Sequence, residues 1–134
     1  KLMVDTINGI CSNSIMPVPQ TGNYTKAPKI INSIHCRIDF DKSADFVFNQ
    51  IRAFSPNRGA FVFIANKRVK IFKASISNMD LKPGQVYIDD VNFIIGCNDK
   101  SINILVLQVE GKQLLDIELF LKGNVFKDVD FIDE

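Results

Sequence analysis

In the run Lys67-Arg68-Val69-Lys70-Ile71-Phe72-Lys73-Ala74, cations alternate with apolar residues. An extended strand would set Arg68 and Lys70 on one face about 7 Å apart, near the spacing of successive phosphates along a nucleic-acid strand. Phe61, Phe63 and Phe72 fall in the same stretch and could stack bases. With eleven Phe and no Trp in the chain, core packing is their first claim. Arg52, Arg58, Lys67 and Lys73 extend the basic set, and no acid occurs between Asp45 and Asp80.

Other chemistry is scarce. His35 is the chain's one histidine, and no Ser/His/Asp arrangement can be built around it. Asp39 with Asp41, and Asp89 with Asp90, could serve as paired carboxylates, but both pairs flank strand ends, where acids are usually solvated. Cys11, Cys36 and Cys97 are widely spaced, with no CxxC pair, so neither a zinc site nor a disulfide framework is expected. They read as packing residues. Phosphate-binding glycine loops are absent.

The charge is polarised along the chain. Residues 1–75 hold eleven Lys/Arg against four Asp, a net +7, while residues 76–134 hold five Lys against eleven Asp/Glu, a net −6. Such asymmetry points to a polyanion-facing surface with an acidic end elsewhere. With 134 residues, 46% of them hydrophobic, the chain suits one domain with extensions. No apolar run approaches the ~20 residues of a membrane span. A cytoplasmic, monomeric protein without metal is the expectation.

The elements that must position these residues follow from periodicity and punctuation. Residues 1–10 carry a partial helical stripe (Leu2, Met3, Ile7, Ile10) that Gly9 could stop. Residues 11–33, with Pro17, Pro19 and Pro28, read as an extended linker containing Lys26 and Lys29. Ile34, Cys36, Ile38 and Phe40 alternate as a half-buried strand. A helix capped by Asp41 or Ser43 should bury Ala44, Val47, Phe48, Ile51 and Phe54 and end before Pro56. Ala60–Ala65 is a strand, turning at Asn66-Lys67 into the basic run. Pro83-Gly84 turns into Gln85–Ile88. Val91–Cys97 and Ile102–Val109 are further strands, the last central because it is apolar on both faces. A final helix would align Leu114, Ile117 and Leu121 and stop at Gly123. The fold class is mainly β: a small OB-like barrel of five or six short strands, with one helix near the start and one at the end. It would occupy residues 34–124, with an acidic tail over 125–134.

Several segments then fall into a known order. Asn49-Gln50-Ile51-Arg52-Ala53-Phe54-Ser55-Pro56 with Gly59-Ala60 resembles the "N-x-IRA-x-x-PWPGA" segment of the formyltransferase C-terminal domain. Tyr24–Ile30 is similar to that family's entry into the domain, Arg37-Ile38-Asp39-Phe40 to its "RIDW", and Lys67–Ala74 to its "GKRLKIWKA" strand. Pro83-Gly84-Gln85-Val86, Leu107-Gln108, Gly111-Lys112 and Phe120-Leu121-Lys122-Gly123 continue the match, and the last block favours the methionyl-tRNA formyltransferase branch.

The resemblance implies a protein that passes a formyl group from 10-formyltetrahydrofolate to the methionine amino group of initiator tRNA. Catalysis would lie in a Rossmann-like N-terminal domain whose Asn, His and Asp motifs do not occur here. Residues 1–10 would be the last helix of that domain. The chain itself would be a non-catalytic barrel that contacts tRNA through Arg52, Arg58, Lys67, Arg68, Lys70 and Lys73, with Lys26 and Lys29 adding reach. Asn57 and Arg58 replace the family's Trp and Pro, removing an aromatic anchor and adding a cation. The alternatives are the barrel of an amino-sugar-nucleotide formyltransferase, or a brace for the catalytic domain that touches no substrate.

Overall fold

A computed structural model describes residues 2–19, 22, 33–123, 126 and 129–133. Helix α1 (Leu2–Cys11) runs two residues past Gly9, because Asn13, at φ 57°, supplies the left-handed turn instead. The chain then folds back, and the amides of Ser14 and Ile15 both donate to the Gly9 carbonyl. Leu2, Met3, Val4, Ile7 and Ile10 are all exposed.

Residues 34–40 correct the strand expected there. Ser33–Cys36 is a 3-10 turn, and Arg37 makes a single parallel bridge to Phe61. The reason is a side chain: Gln50 Nε2 donates to the carbonyls of His35 (3.2 Å) and Arg37 (3.0 Å), occupying acceptors that a ladder would need. The expected alternation of burial survives, with Cys36, Ile38 and Phe40 buried.

Helix α2 (Ala44–Phe54) starts at Ser43, whose hydroxyl accepts from the Phe46 amide, and ends at Ser55. Ala44, Val47 and Ile51 are buried, and Phe48 and Phe54 pack at the edge of the core. The first free amide of α2, on Ala44, donates to Asp99 Oδ1 at 2.7 Å, so a turn 55 residues away completes the cap.

Six strands form one curled sheet. They are β1 (Ala60–Ile64), β2 (Lys67–Ser77), β3 (Val86–Ile88), β4 (Phe93–Gly96), β5 (Ser101–Val109) and β6 (Leu114–Asp116), in the order β1-β2-β5-β4-β3. β6 shares the second edge of β5 with β4. β5 is central, as its two apolar faces require. The β1–β2 turn is Ala65-Asn66, one residue earlier than Asn66-Lys67. Both residues have positive φ (49° and 58°), as a type I′ turn demands. β4 is shorter than expected because Asp89 gathers the amides of Val91 and Asn92 into a turn. Pro83-Gly84 is the expected turn, with Gly84 at φ 75° and Gln85 N donating to the Lys82 carbonyl.

The terminal helix is also corrected. Leu114–Asp116 pairs with β5 as a strand, and only Ile117–Leu121 is helical (α3). Within the 125–134 segment, residues 130–133 reach across the gap between the sheet's edges. Asp133 N donates to the Phe63 carbonyl, Ile132 N to the Gly84 carbonyl, and Val86 N to the Asp130 carbonyl. The interior is filled by Ile51, Val62, Ile64, Val69, Ile71, Ile95, Ile102, Ile104 and Leu107, with Phe93 stacked on Phe120.

Candidate nucleic-acid interface

The β1–β2 register decides which basic residues share a face. Ala60, Val62, Ile64, Val69 and Ile71 point into the core, so Phe61, Phe63, Arg68 and Lys70 share the outer face. Lys70 stands opposite Phe61, and Arg68 opposite Phe63. Arg68 leans diagonally over the Phe61 ring, its guanidinium carbon 3.8 Å from the centroid. Phe61 meets Phe63 edge-on at 5.7 Å, and Arg37 covers Phe63 at 5.9 Å. The result is an Arg-Phe-Phe-Arg row across the sheet. Phe61 is only 5% exposed. Phe61 is thus buried on the outer face, and neither ring is a free stacking platform, since an arginine lies over each.

Beyond Lys70 the strand departs from simple alternation. Register shifts between Ile71 and Lys73 and between Lys73 and Ala74 turn Phe72 and Lys73 both outward before Ala74 returns to the core. Gly59, at φ 70°, lies against Phe72 and Lys70: a Cβ there would come within 2.8 Å of the Phe72 ring and 3.3 Å of Lys70 Cβ. That close approach brings the Arg58 loop up to Lys70. Arg68 and Lys70 thus share one face, with the Gly59 backbone against Lys70.

The remaining candidates are more dispersed. Lys67, at the start of β2, lines a separate cavity of about 160 Å³ with Lys112 and Leu119. Arg52, in the last turn of α2, lies 5.5 Å from the Phe48 ring and donates to Asn49 Oδ1. Lys26 and Lys29 lie outside the described residues. Sequence reasoning put Arg37 on the polar face of an expected strand and missed its place over Phe63, because the bridge to Phe61 joins segments that no local pattern connects.

Acids and thiols are occupied elsewhere. The one ion pair among the described residues joins Lys42 to Asp39 at 3.5 Å. Asp39 also accepts from the Asp41 amide. The Asn92 side chain, then the Val91 amide, hold the Asp89 carboxyl below its ordinary range. Asp39 and Asp89, one from each carboxylate pair, therefore organise turns. Burial, then the nearby Asp99 carboxylate, push the Cys97 thiol up to about 12. No group of three His, Cys, Asp or Glu among the described residues is placed to hold a metal, and no described helix is long and apolar enough to cross a membrane.

A curled mainly-β sheet with this outer face defines a class, and the sequence places the chain in it: it belongs to the formyl transferase C-terminal domain family, whose model matches residues 30–125. Among individual proteins, it is 31% identical over 124 residues to methionyl-tRNA formyltransferase of Thermodesulfovibrio yellowstonii, covering 92% of this chain and 40% of that protein. The corresponding enzyme of Lachnospira eligens is 32% identical over 131 residues, covering 92% and 42%. The chain thus spans about two fifths of these relatives. The same fold occurs in HypX of Aquifex aeolicus, solved in complex with tetrahydrofolic acid, at TM-score 0.67 and 19% identity over 98% of this chain and 26% of that one.

A cleft of about 680 Å³ carries Asp39, Asp41 and Asp133 against one cation, Arg37, and is a poor match for a folate donor bearing carboxylates of its own.

Proposed function

We propose that this chain is the tRNA-positioning C-terminal part of a methionyl-tRNA formyltransferase. The outer face of β2 holds the phosphate backbone of initiator tRNA. A preceding catalytic domain, in the cytoplasm, moves the formyl group from 10-formyltetrahydrofolate to the methionine amino group. The observation that carries this reading is the uncommitted charge of Arg68 and Lys70, side by side on one face and free of ion pairs among the described residues. Contacts of this kind set register and orientation and carry little sequence information. The exposed apolar residues of α1 support a neighbouring domain, and the turn-building acids support a non-catalytic role for this part.

The test is a titration of the chain against initiator tRNA across a salt series. Affinity should fall log-linearly with salt, by roughly 0.7–0.9 log units per log unit for each phosphate neutralised. Charge reversal at Arg68 and Lys70 should lower both affinity and slope. Undetectable binding at low salt would overturn the reading in favour of a brace or a sugar-nucleotide enzyme.

A further inference from the structure

Three arginines lie over phenyl rings, but they are not equivalent. Arg37 sits 5.9 Å from its ring centroid, and Arg52 is tied to Asn49. Arg68 alone stacks at 3.8 Å, and among the described residues no hydrogen bond or ion pair engages its guanidinium. Its Nε is buried without a partner, an arrangement that ordinarily costs stability. The orientation of this group is thus fixed by a ring rather than by acceptors, and its outer N–H groups stay uncommitted. They border a cavity of about 180 Å³ lined by Arg68, Lys70, Gln108, Glu110 and Gly111. Gln108 forms a wall there, with one N–H of its Nε2 donating to the Lys112 carbonyl at 2.9 Å. Glu110 is exposed on the rim, and its backbone amide donates to the Arg68 carbonyl.

We infer that this cavity is a discrete subsite for one phosphodiester, with Arg68 and Lys70 as its ligands and Phe61 as the positioning residue that presents the flat guanidinium edge. The planar fork matches phosphate geometry, and stacking removes the rotamer freedom that a surface arginine would lose on binding. Glu110 tempers the site, so that a loosely placed anion gains little. The inference rests on the tRNA reading only for what carries the phosphate.

The deciding experiment pairs NMR of the Arg68 side chain with tRNA titrations. In the free protein the Arg68 Hδ and Hε resonances should be shifted upfield by the Phe61 ring current. Inorganic phosphate should move the guanidinium resonances saturably, and Lys70→Gln should weaken that response. Phe61→Leu should abolish the ring-current shift and weaken tRNA binding roughly two- to fivefold with an unchanged salt slope, because no charge is lost. Phe61→Tyr should restore both. Should Phe61→Leu not fold, Arg68→Lys carries the same test, keeping the charge while losing the planar fork. If Phe61→Leu or Arg68→Lys binds tRNA like the parent chain, or if neither phosphate nor tRNA perturbs Arg68, the subsite is overturned. A phosphate response without tRNA binding would keep the subsite and remove the tRNA reading instead.

Discussion

On the outer face of the β1–β2 hairpin, cations lie against rings and beside each other with no carboxylate partner among the described residues. At the turns and the C-terminal segment the pattern is inverted: Asp39, Asp89, Asp99 and Asp133 each accept from a backbone amide. The acids complete the fold and the bases are left over. A chain whose halves carry +7 and −6 could have neutralised itself through ion pairs. Among the described residues only Lys42 and Asp39 pair, and across those residues the charge asymmetry is a division of labour, with backbone donors served by Asp and an outward field kept for Lys and Arg.

The comparison can be broken first at the C-terminal segment. Residues 130–133 supply three backbone hydrogen bonds to β1, the Pro83-Gly84 turn and β3, and Asp133 Oδ2 also accepts from the Asn66 amide at 2.6 Å. At about 1 kcal/mol for each of these four bonds, plus the packing of Ile132 against the core, ending the chain after Val129 should cost about 4–6 kcal/mol. Urea denaturation measures this. A loss under about 1 kcal/mol would mean that the acidic segment rests on the barrel without holding it.

Asp99 comes next. Asp99→Ala leaves the Ala44 amide without its acceptor and should cost about 1–2 kcal/mol, whereas Asp99→Asn should cost less. Cys97 offers a local readout. Its thiol is buried and its pKa is pushed up to about 12, whereas Cys11 is exposed. In the native state Cys11 should therefore react with a thiol reagent first, and Cys97 only when the loop opens. Asp99→Ala should speed Cys97 labelling about tenfold for each 1.4 kcal/mol lost. Unchanged labelling would show that the cap does not hold this loop.

Asp89 gives a smaller, pH-dependent effect. Its folded pKa lies below the ordinary 3.8, so the stabilisation it provides is fully present above that value and is lost as pH falls through the lower folded pKa. Melting temperatures of the parent chain and Asp89→Asn should differ at neutral pH and converge in strong acid. A difference that persists there would assign the effect to packing rather than to the carboxylate.

Much of this division of labour was legible before any coordinates. Alternation in Lys67–Ala74 placed Arg68 and Lys70 on one face, and the two-sided apolar run placed β5 at the centre. What was hidden depends on partners far along the chain. The 3-10 turn before Arg37 is held by Gln50, so no local pattern could distinguish it from a strand. The turn at Ala65-Asn66 needs an alanine at positive φ, which no propensity favours, and Asp133 secures it from 67 positions away. That one-residue shift is also why stacking of Arg68 on Phe61 was invisible: the diagonal exists only once Ile64 is paired with Lys67. Leu114–Asp116 has helical spacing, but the exposed edge of β5 offers it three ladder pairs that a short helix could not match.

The smallest expected effect is the sharpest. Arg68→Met would keep an unbranched chain over the Phe61 ring, with a sulfur that also favours aromatic contact. It would remove a cation–ring attraction of about 0.5–1 kcal/mol and, with it, the buried Nε donor that has no partner. Since leaving such a donor unsatisfied costs about 1–3 kcal/mol, the stability of the chain should stay level or rise slightly. The tRNA affinity of the same variant should fall, with a salt slope about one phosphate lower. Stability and binding would then move apart at a single residue, as they must if the cation is held for a ligand rather than for the fold. A destabilisation above about 1 kcal/mol would instead place Arg68 with the acids, as a residue that the barrel needs for itself.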